Sequence, residues 1–238
     1  MKTALITGAS RGIGSEMVKQ FVKAGYRVAF TYNNSSEAAK ALEKETGAIS
    51  IRADSTVEEE IVFAVKIAKD SLGRIDCLIN NAGISSFSLF TDISLAEWQR
   101  VFSVNLNGAF LYSREVMRDM ISRHSGRIIN ISSMWGITGA SCEVAYSSSK
   151  AALNGMTKAL AKELGPSGIT VNAIAPGLID TEMNSVLSEE DIRAIVEETP
   201  MMRIGTPNDV AALALFLAGD SASFITGEVI SVNGGFVI

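Results

Sequence analysis

The octapeptide TGASRGIG, Thr7–Gly14, decides the fold. It follows a short apolar run, TALIT, and opens into GSEMVKQFVKAG, where apolar residues recur at helical spacing. A strand, a glycine-rich turn and a helix therefore follow one another at the start of the chain. Gly8, Gly12 and Gly14 remove side chains where the backbone must turn tightly and where it can approach a pyrophosphate. The helix N-terminus behind them offers free N–H groups and the positive end of a dipole to that anion. The spacing is GxxxGxG, not the commoner GxGxxG, and turns before helices often contain glycine, so the strand-turn-helix context carries the reading. Gly8, Ser10, Arg11, Gly12, Ile13 and Gly14 are the predicted nucleotide-binding turn.

The same alternation continues outward. TALIT, RVAFTY, AISIRA, DCLIN, GRIINIS, GITVNAIAP and EVISVNG are short, apolar or β-branched, and bounded by polar residues or glycine. Longer segments with helical periodicity lie between them, VEEEIVFAVKIAKDSLG among them. Buried strands that alternate with helices predict a parallel sheet covered on both faces. No linker, repeat or composition break divides residues 1–238, which read as a single α/β domain. One stretch interrupts the rhythm, GLIDTEMNSVLSEEDIRAIVEETPMMRIGTP, residues 177–207, acidic and methionine-rich with a modest helix inside. It follows a strand at the edge where open α/β sheets bind ligands, and it is the expected substrate lid.

Composition excludes several classes. The 238 residues carry a net charge of −5, and lysine and arginine are scattered rather than clustered, which suits neither nucleic acid nor an anionic membrane. Cys77 and Cys142 form no CxxC pair and His124 is the lone histidine, so no metal site is expected. A reducing, cytoplasmic setting fits. The apolar run near the N-terminus is too short for an export signal, and VAALALFLAG near Val210 is far short of the roughly 20 residues of a spanning helix. A soluble protein is expected.

The strand ends complete a dinucleotide site. An acid after the second strand would bind a free adenosine ribose and repel a 2′-phosphate. This chain has Tyr32, Asn33 and Asn34 there and no acid before Glu37, while Arg11 can offer a charged fork to a phosphate. NADP(H) is therefore the expected cofactor. Asp54, past the third strand, can accept from the adenine amino group, and NNAG, Asn80–Gly83, ends the fourth strand with small residues at Asn81, Ala82 and Gly83.

Ser132 and Ser133 end the fifth strand, and YSSSK, Tyr146–Lys150, begins a helical segment. Residues four apart share a helix face, so Tyr146 and Lys150 point into one space. An ordinary phenol, with a pKa of about 10, is a poor acid, and a neighbouring cation is expected to lower that value into a useful range.

These motifs together resemble the short-chain dehydrogenase/reductase family over essentially the whole chain: TGASRGIG, NNAG, Asn105 in VNLNGAF, Ser133 in NISSMWG, YSSSK, APG at Ala175–Gly177 and the terminal VNGG. The resemblance implies a three-layer, Rossmann-like, doubly wound parallel sheet of about seven strands and a homotetramer. It also implies roles. Tyr146 protonates a carbonyl oxygen as hydride arrives, Ser133 hydrogen-bonds that oxygen, and Lys150 binds the nicotinamide ribose and depresses the tyrosine pKa. Asn105 holds a water that links the lysine to solvent, and Pro176, Gly177, Ile179 and Thr181 hold the nicotinamide carboxamide. Ser132 rivals Ser133, and only the family spacing separates them.

Within the family the chain looks most like the bacterial 3-oxoacyl-[acyl-carrier-protein] reductases of fatty acid biosynthesis, in length, glycine turn and the tail ITGEVISVNGG. It departs from them at NNAGISSF, where Ser86 and Phe87 replace a charged pair, and at His124 and Ser167, where those enzymes carry arginines for an acidic carrier. The stretch Ser132–Ser147 resembles a sister group that reduces a 5-aminopentanone modification on elongation factor P, and Trp135, Cys142 and Glu143 fit its pattern. A carboxylate at Glu143 can pair with a substrate ammonium. A non-catalytic NADP-binding sensor is the third reading, although such proteins typically lose the tyrosine or lysine that this chain retains.

Overall fold

A computed structural model describes residues 1–184 and 188–237. Within the expected lid, 185–187 lie outside the described residues, as does the last residue of the apolar FVI terminus. The strands are β1 (Thr3–Ile6), β2 (Arg27–Tyr32), β3 (Ile49–Arg52), β4 (Cys77–Asn80), β5 (Gly126–Ile131), β6 (Ile169–Pro176) and β7 (Val229–Val232). The helices are α1 (Gly12–Lys23), α2 (Ser36–Thr46), α3 (Glu58–Leu72), α4 (Leu95–Phe102), α5 (Gly108–Ser122), the short α6 (Trp135–Thr138), α7 (Val144–Leu164), α8 (Glu189–Glu198) and α9 (Pro207–Ala218). Each strand falls inside one of the apolar runs read from the sequence.

Among the described residues the sheet has seven strands in the order β3-β2-β1-β4-β5-β6-β7, and every pairing is parallel. Side chains alternate across the pleat. Ala4, Ile6, Phe30, Ile79, Ile129 and Ile174 face α1, α2 and α9 and bury Met17, Phe21, Leu42 and Val210. Leu5, Ala29, Leu78, Ile128 and Val171 face α3, α5 and α7 and bury Ile61, Val65, Tyr112 and Leu164. Full burial of one such large aliphatic or aromatic side chain contributes about 1.5–3 kcal/mol, so both faces of the sheet are committed. The architecture is three-layered and doubly wound, in a single domain. The apolar run near Val210 is α9, a core helix begun by a capping box between Thr206 and Asp209. Among the described residues no helix is long and apolar enough to cross a membrane.

Strand order reverses between β1 and β4, and at such a switch point the carboxyl edge opens into a crevice. The turn after β1, Asn33 after β2, Asp54 after β3, Asn81 after β4, Ser133 after β5 and Gly177 after β6 all stand along that edge. One irregularity also serves it. Between α4 and α5 the helix widens into a π turn, Ser103–Asn107, with Asn105 buried at its centre. Such turns inside helices are rare and concentrate at functional sites.

Candidate active site

The glycine turn is closed by contact with the end of β4. Gly8 has φ 61°, and a Cβ there would fall 2.7 Å from Ala82 Cα. At Gly14 a Cβ would fall 2.6 Å from Ala9 Cα and 2.7 Å from Asn81 Nδ2. Hydrogen bonds lace the two segments: the Asn81 and Ala82 N–H groups both donate to Thr7 Oγ1 at 3.0 Å, and Asn81 Nδ2 donates to the Thr7 and Gly8 carbonyls at 2.9 and 3.0 Å. Ser10 and Ile13 are half-buried on the turn, whereas Arg11 is exposed. Arg11 does not stand free: its Nη1 donates to Glu182 Oε2 at 2.7 Å, from the segment after β6.

At the far end of the cleft Tyr32 is half-buried at the end of β2. Asn33 Nδ2 donates to Asp54 Oδ2 at 3.0 Å, and the Thr56 N–H and hydroxyl donate to Asp54 Oδ1 at 2.8 and 2.7 Å. Burial pushes the Asp54 carboxyl up, but the hydrogen bonds from Thr56 and Asn33 outweigh it and hold the group below its ordinary value.

Ser133, Tyr146, Lys150 and Asn105 converge on the middle of the edge. Lys150 is buried, its Nζ donates to the Ile131 carbonyl at 2.8 Å, and that atom lies 5.6 Å from the centre of the Tyr146 ring. A Cβ at Gly83 would stand 3.3 Å from Lys150 Nζ and 3.4 Å from Asn105 Oδ1, so glycine opens the space between them. Asn105 is pinned by its own side chain: Oδ1 accepts from the Ile84 N–H at 2.8 Å, and Nδ2 donates to the Ile84 carbonyl and to Ser149 Oγ, each at 3.0 Å. The two serines are separated by direction. Ser132 Oγ donates back to the Lys150 carbonyl at 3.3 Å, while the Ser133 hydroxyl accepts from the Trp135 N–H at 3.1 Å and interacts with the Tyr146 phenol.

The expected lowering of the phenol pKa is not what the protein alone provides. Burial pushes Tyr146 up to about 12, the Ser133 hydroxyl pulls the other way, and the Glu143 carboxylate adds to the rise. The same burial brings Lys150 down to about 8. Loss of hydration disfavours phenolate and ammonium alike, and here it outweighs their attraction.

Trp135, Cys142 and Glu143 lie on the chain that leads into α7. Cys142 has φ 62°, and its carbonyl accepts from the Ser88 N–H at 2.8 Å, which ties the stretch after β4 to this side of the cleft. The Trp135 ring meets Phe236 edge-on with centres 5.7 Å apart. Burial raises the Glu143 carboxyl, and a hydrogen bond from Trp135 opposes it. Beyond β6, the Gly177 N–H donates to the Val232 carbonyl at 2.9 Å, Ile179 is buried, and its carbonyl accepts from Asn184 Nδ2 at 2.6 Å. Thr181 is half-buried, its methyl 3.4 Å from where a Gly12 Cβ would stand. Pro176 ends β6 inside the sheet.

Three residues of the site carry no mark in the sequence reading. Thr7 joins the glycine turn to NNAG, and its place at the end of β1 is the one signal that points to it. Ser149 steadies Asn105 and sits inside YSSSK, where only the first and last residues draw notice. Glu182 reaches Arg11 from 171 residues away, and no local pattern announces it. Among the described residues no group of three or more His, Cys, Asp or Glu side chains could hold a metal ion.

A doubly wound sheet with a glycine turn after its first strand and a serine, tyrosine and lysine at its carboxyl edge defines a nucleotide-dependent oxidoreductase class. A family model described as enoyl-(acyl carrier protein) reductase matches residues 8–237, and the chain belongs to the short-chain dehydrogenase/reductase family. It is 45% identical over 240 residues to the 3-oxoacyl-[acyl-carrier-protein] reductase FabG of Aquifex aeolicus, covering 98% of this chain and 96% of that one. It is 42% identical over 235 residues to the acetoacetyl-CoA reductase of Shinella zoogloeoides, with 98% of each chain covered. The solved structure of a mutant short-chain dehydrogenase/reductase from Serratia marcescens superposes with a TM-score of 0.92 at 35% identity, covering 99% of this chain and 97% of that one. Reductases of this family use nicotinamide cofactors. The residues present fit one: Gly8 and Gly14 let the turn close on Ala82 and Asn81, and the start of α1 has no side-chain cap, which leaves its N–H groups to an anion.

Proposed function

We propose that this chain is an NADPH-dependent carbonyl reductase acting on 3-oxoacyl thioesters, with acyl carrier protein as the bearer of the substrate. The observation that carries the reading is the meeting of Tyr146, Ser133 and Lys150 beside the glycine turn, in a chain 45% identical to a 3-oxoacyl-[acyl-carrier-protein] reductase. The cofactor's diphosphate would lie on Gly8–Gly14, its adenosine near Tyr32, Asn33 and Asp54, and its nicotinamide near Asn81–Gly83, Pro176, Gly177, Ile179 and Thr181. When bound, it supplies a hydride to the carbonyl carbon. Tyr146, with its phenol held near 12, keeps its proton at neutral pH and is loaded as a general acid. Its O–H donates that proton to the developing alkoxide, and the Ser133 O–H donates a hydrogen bond to the same oxygen. Lys150, brought down to about 8, can return a proton toward the phenolate left on Tyr146. Asn105 holds the approach to Lys150 in shape. Segment 177–207 is the lid of this site.

The test follows NADPH and NADH oxidation with a short 3-oxoacyl thioester in wild type and Tyr146→Phe. NADPH-dependent turnover that falls by about 10²–10⁴ in the variant is expected. Equal turnover in Tyr146→Phe would sink the mechanism. Cofactor binding with no turnover on any ketone would favour a sensor.

A second reading has its own support. Glu143 sets a carboxylate close enough to raise the Tyr146 pKa, and Arg123, the arginine nearest the expected carrier-docking position, is spent on the Ile75 carbonyl at 2.8 Å. A substrate that ends in an ammonium, such as the 5-aminopentanone on elongation factor P, suits that arrangement. Failure of the thioester with retained cofactor binding would move it to first place. A homotetramer belongs to either reading and is supported by the exposed Phe63, Phe110 and Phe224; a monomeric mass in solution would overturn it.

A further inference from the structure

The end of β2 lacks the acid that would repel a 2′-phosphate, yet the cation read as the phosphate's partner, Arg11, already holds a carboxylate. Glu182 begins a tight turn, Glu182–Asn184, in the segment after β6, and its Oε2 stands 2.7 Å from Arg11 Nη1. The pair bridges two halves of the sheet, since Arg11 follows β1 and Glu182 follows β6. The contact is not an accident of one flexible side chain. Asn184 Nδ2 anchors the turn to the Ile179 carbonyl at 2.6 Å, and the Thr181 methyl lies beside Gly12.

We propose that Glu182 is a specificity-determining residue that competes with the cofactor's 2′-phosphate for Arg11. The proposal rests on the reading of Arg11 as the phosphate-binding cation. Both partners are largely exposed, at 62% and 69% of their side-chain surface, so the ion pair is weak and a phosphate dianion can displace the carboxylate. A nucleotide that uses Arg11 must first take it from Glu182, whereas one that does not use Arg11 leaves the pair intact. Glu182 thereby weakens NADPH, which carries the 2′-phosphate, and leaves NADH, which lacks it, unaffected.

The test is an equilibrium titration of NADPH and NADH, followed by nucleotide fluorescence, on wild type, Glu182→Gln, Arg11→Met and the double variant. Glu182→Gln is expected to tighten NADPH about two- to five-fold, the range set by an exposed ion pair, with NADH unchanged. In the Arg11→Met background the same change should do nothing. If Arg11→Met leaves NADPH affinity intact, the phosphate reading of Arg11 fails and the proposal falls with it. If Arg11→Met weakens NADPH while Glu182→Gln does not tighten it, Arg11 keeps its role and the competition is overturned. Equal weakening of both nucleotides by Glu182→Gln would make the pair a strap that holds either cofactor, which also overturns it.

Discussion

The two walls of the cleft are built in opposite ways. On one side the glycine turn, the end of β4 and the start of α7 meet by backbone contact and part-buried hydrogen bonds, with no room for a Cβ at Gly8 or Gly14. On the other, the root of segment 177–207 is fixed by backbone bonds between Leu178, Asp180 and Gly205 and by buried Ile179, but its outer face carries exposed polar pairs: Glu182 to Arg11, the Ser188–Asp191 capping box of α8, and Arg203 to Asp209. Close packing tolerates no added atom, whereas exposed pairs can be exchanged at small cost. A site that must align a hydride donor yet admit and release substrate needs one wall of each kind.

The sharpest way to break this contrast is Gly8→Ala. The added Cβ would meet Ala82 backbone at 2.7 Å in a left-handed conformation, so a loss of about 2–4 kcal/mol is expected together with loss of cofactor binding. Urea unfolding measures the first and nucleotide fluorescence the second. An unchanged midpoint would mean that the turn is not rigid. Glu182→Ala, on the opposite wall, should move the same midpoint by less than about 0.5 kcal/mol.

The rigid wall also carries a burden of its own. Lys150 titrates near 8 in the fold against an ordinary 10.5. Between those values the unfolded chain binds more protons, so stability should rise with pH across that window. Below about 8 the buried ammonium costs stability at full strength. Lys150→Met is therefore expected to gain about 1–3 kcal/mol at neutral pH, to flatten the rise, and to lose activity. A variant less stable than wild type at neutral pH would show that the Ile131 hydrogen bond outweighs the desolvation.

Most of the rigid wall is legible in the sequence because it is written in local pattern. Each strand is an apolar run, each helix has its own repeat, Gly8 marks its turn through the strand and helix on either side of it, and Tyr146 and Lys150 share a face through their spacing. What cannot be read is what burial and long-range pairing decide. The phenol's shift depends on how much water the fold removes from Tyr146, which the distance along YSSSK does not encode. Ser132 and Ser133 differ only by the direction a strand end gives them. Asn105 is visible as a poor helix former, but the π turn around it and its bonds to Ile84 and Ser149 join segments far apart in the chain. Glu182 belongs to the open wall, and its pairing with Arg11, 171 residues away, is set by chain return and not by period.

A further substitution, smaller in effect than those on the rigid wall, probes the root of that open wall. Asp209 accepts from the Thr206 N–H at 2.7 Å to cap α9, and from Arg203 at 2.9 and 3.1 Å. The hydrogen bond from Arg203 comes first, and that from the Thr206 N–H second, in holding its carboxyl well below the usual range, against a small opposing effect of burial. A depressed carboxyl stabilises the fold above its unfolded value of about 3.9, and that contribution is lost as pH falls toward the folded one. Asp209→Asn keeps a capping acceptor but gives up the charge, so a loss of about 0.5–1 kcal/mol at neutral pH is expected, shrinking in acid. NADPH affinity should stay unchanged, since Asp209 serves the helix and not the cradle. A tenfold fall in that affinity would show that the two walls are coupled through α9, which packs on α1 directly behind the glycine turn.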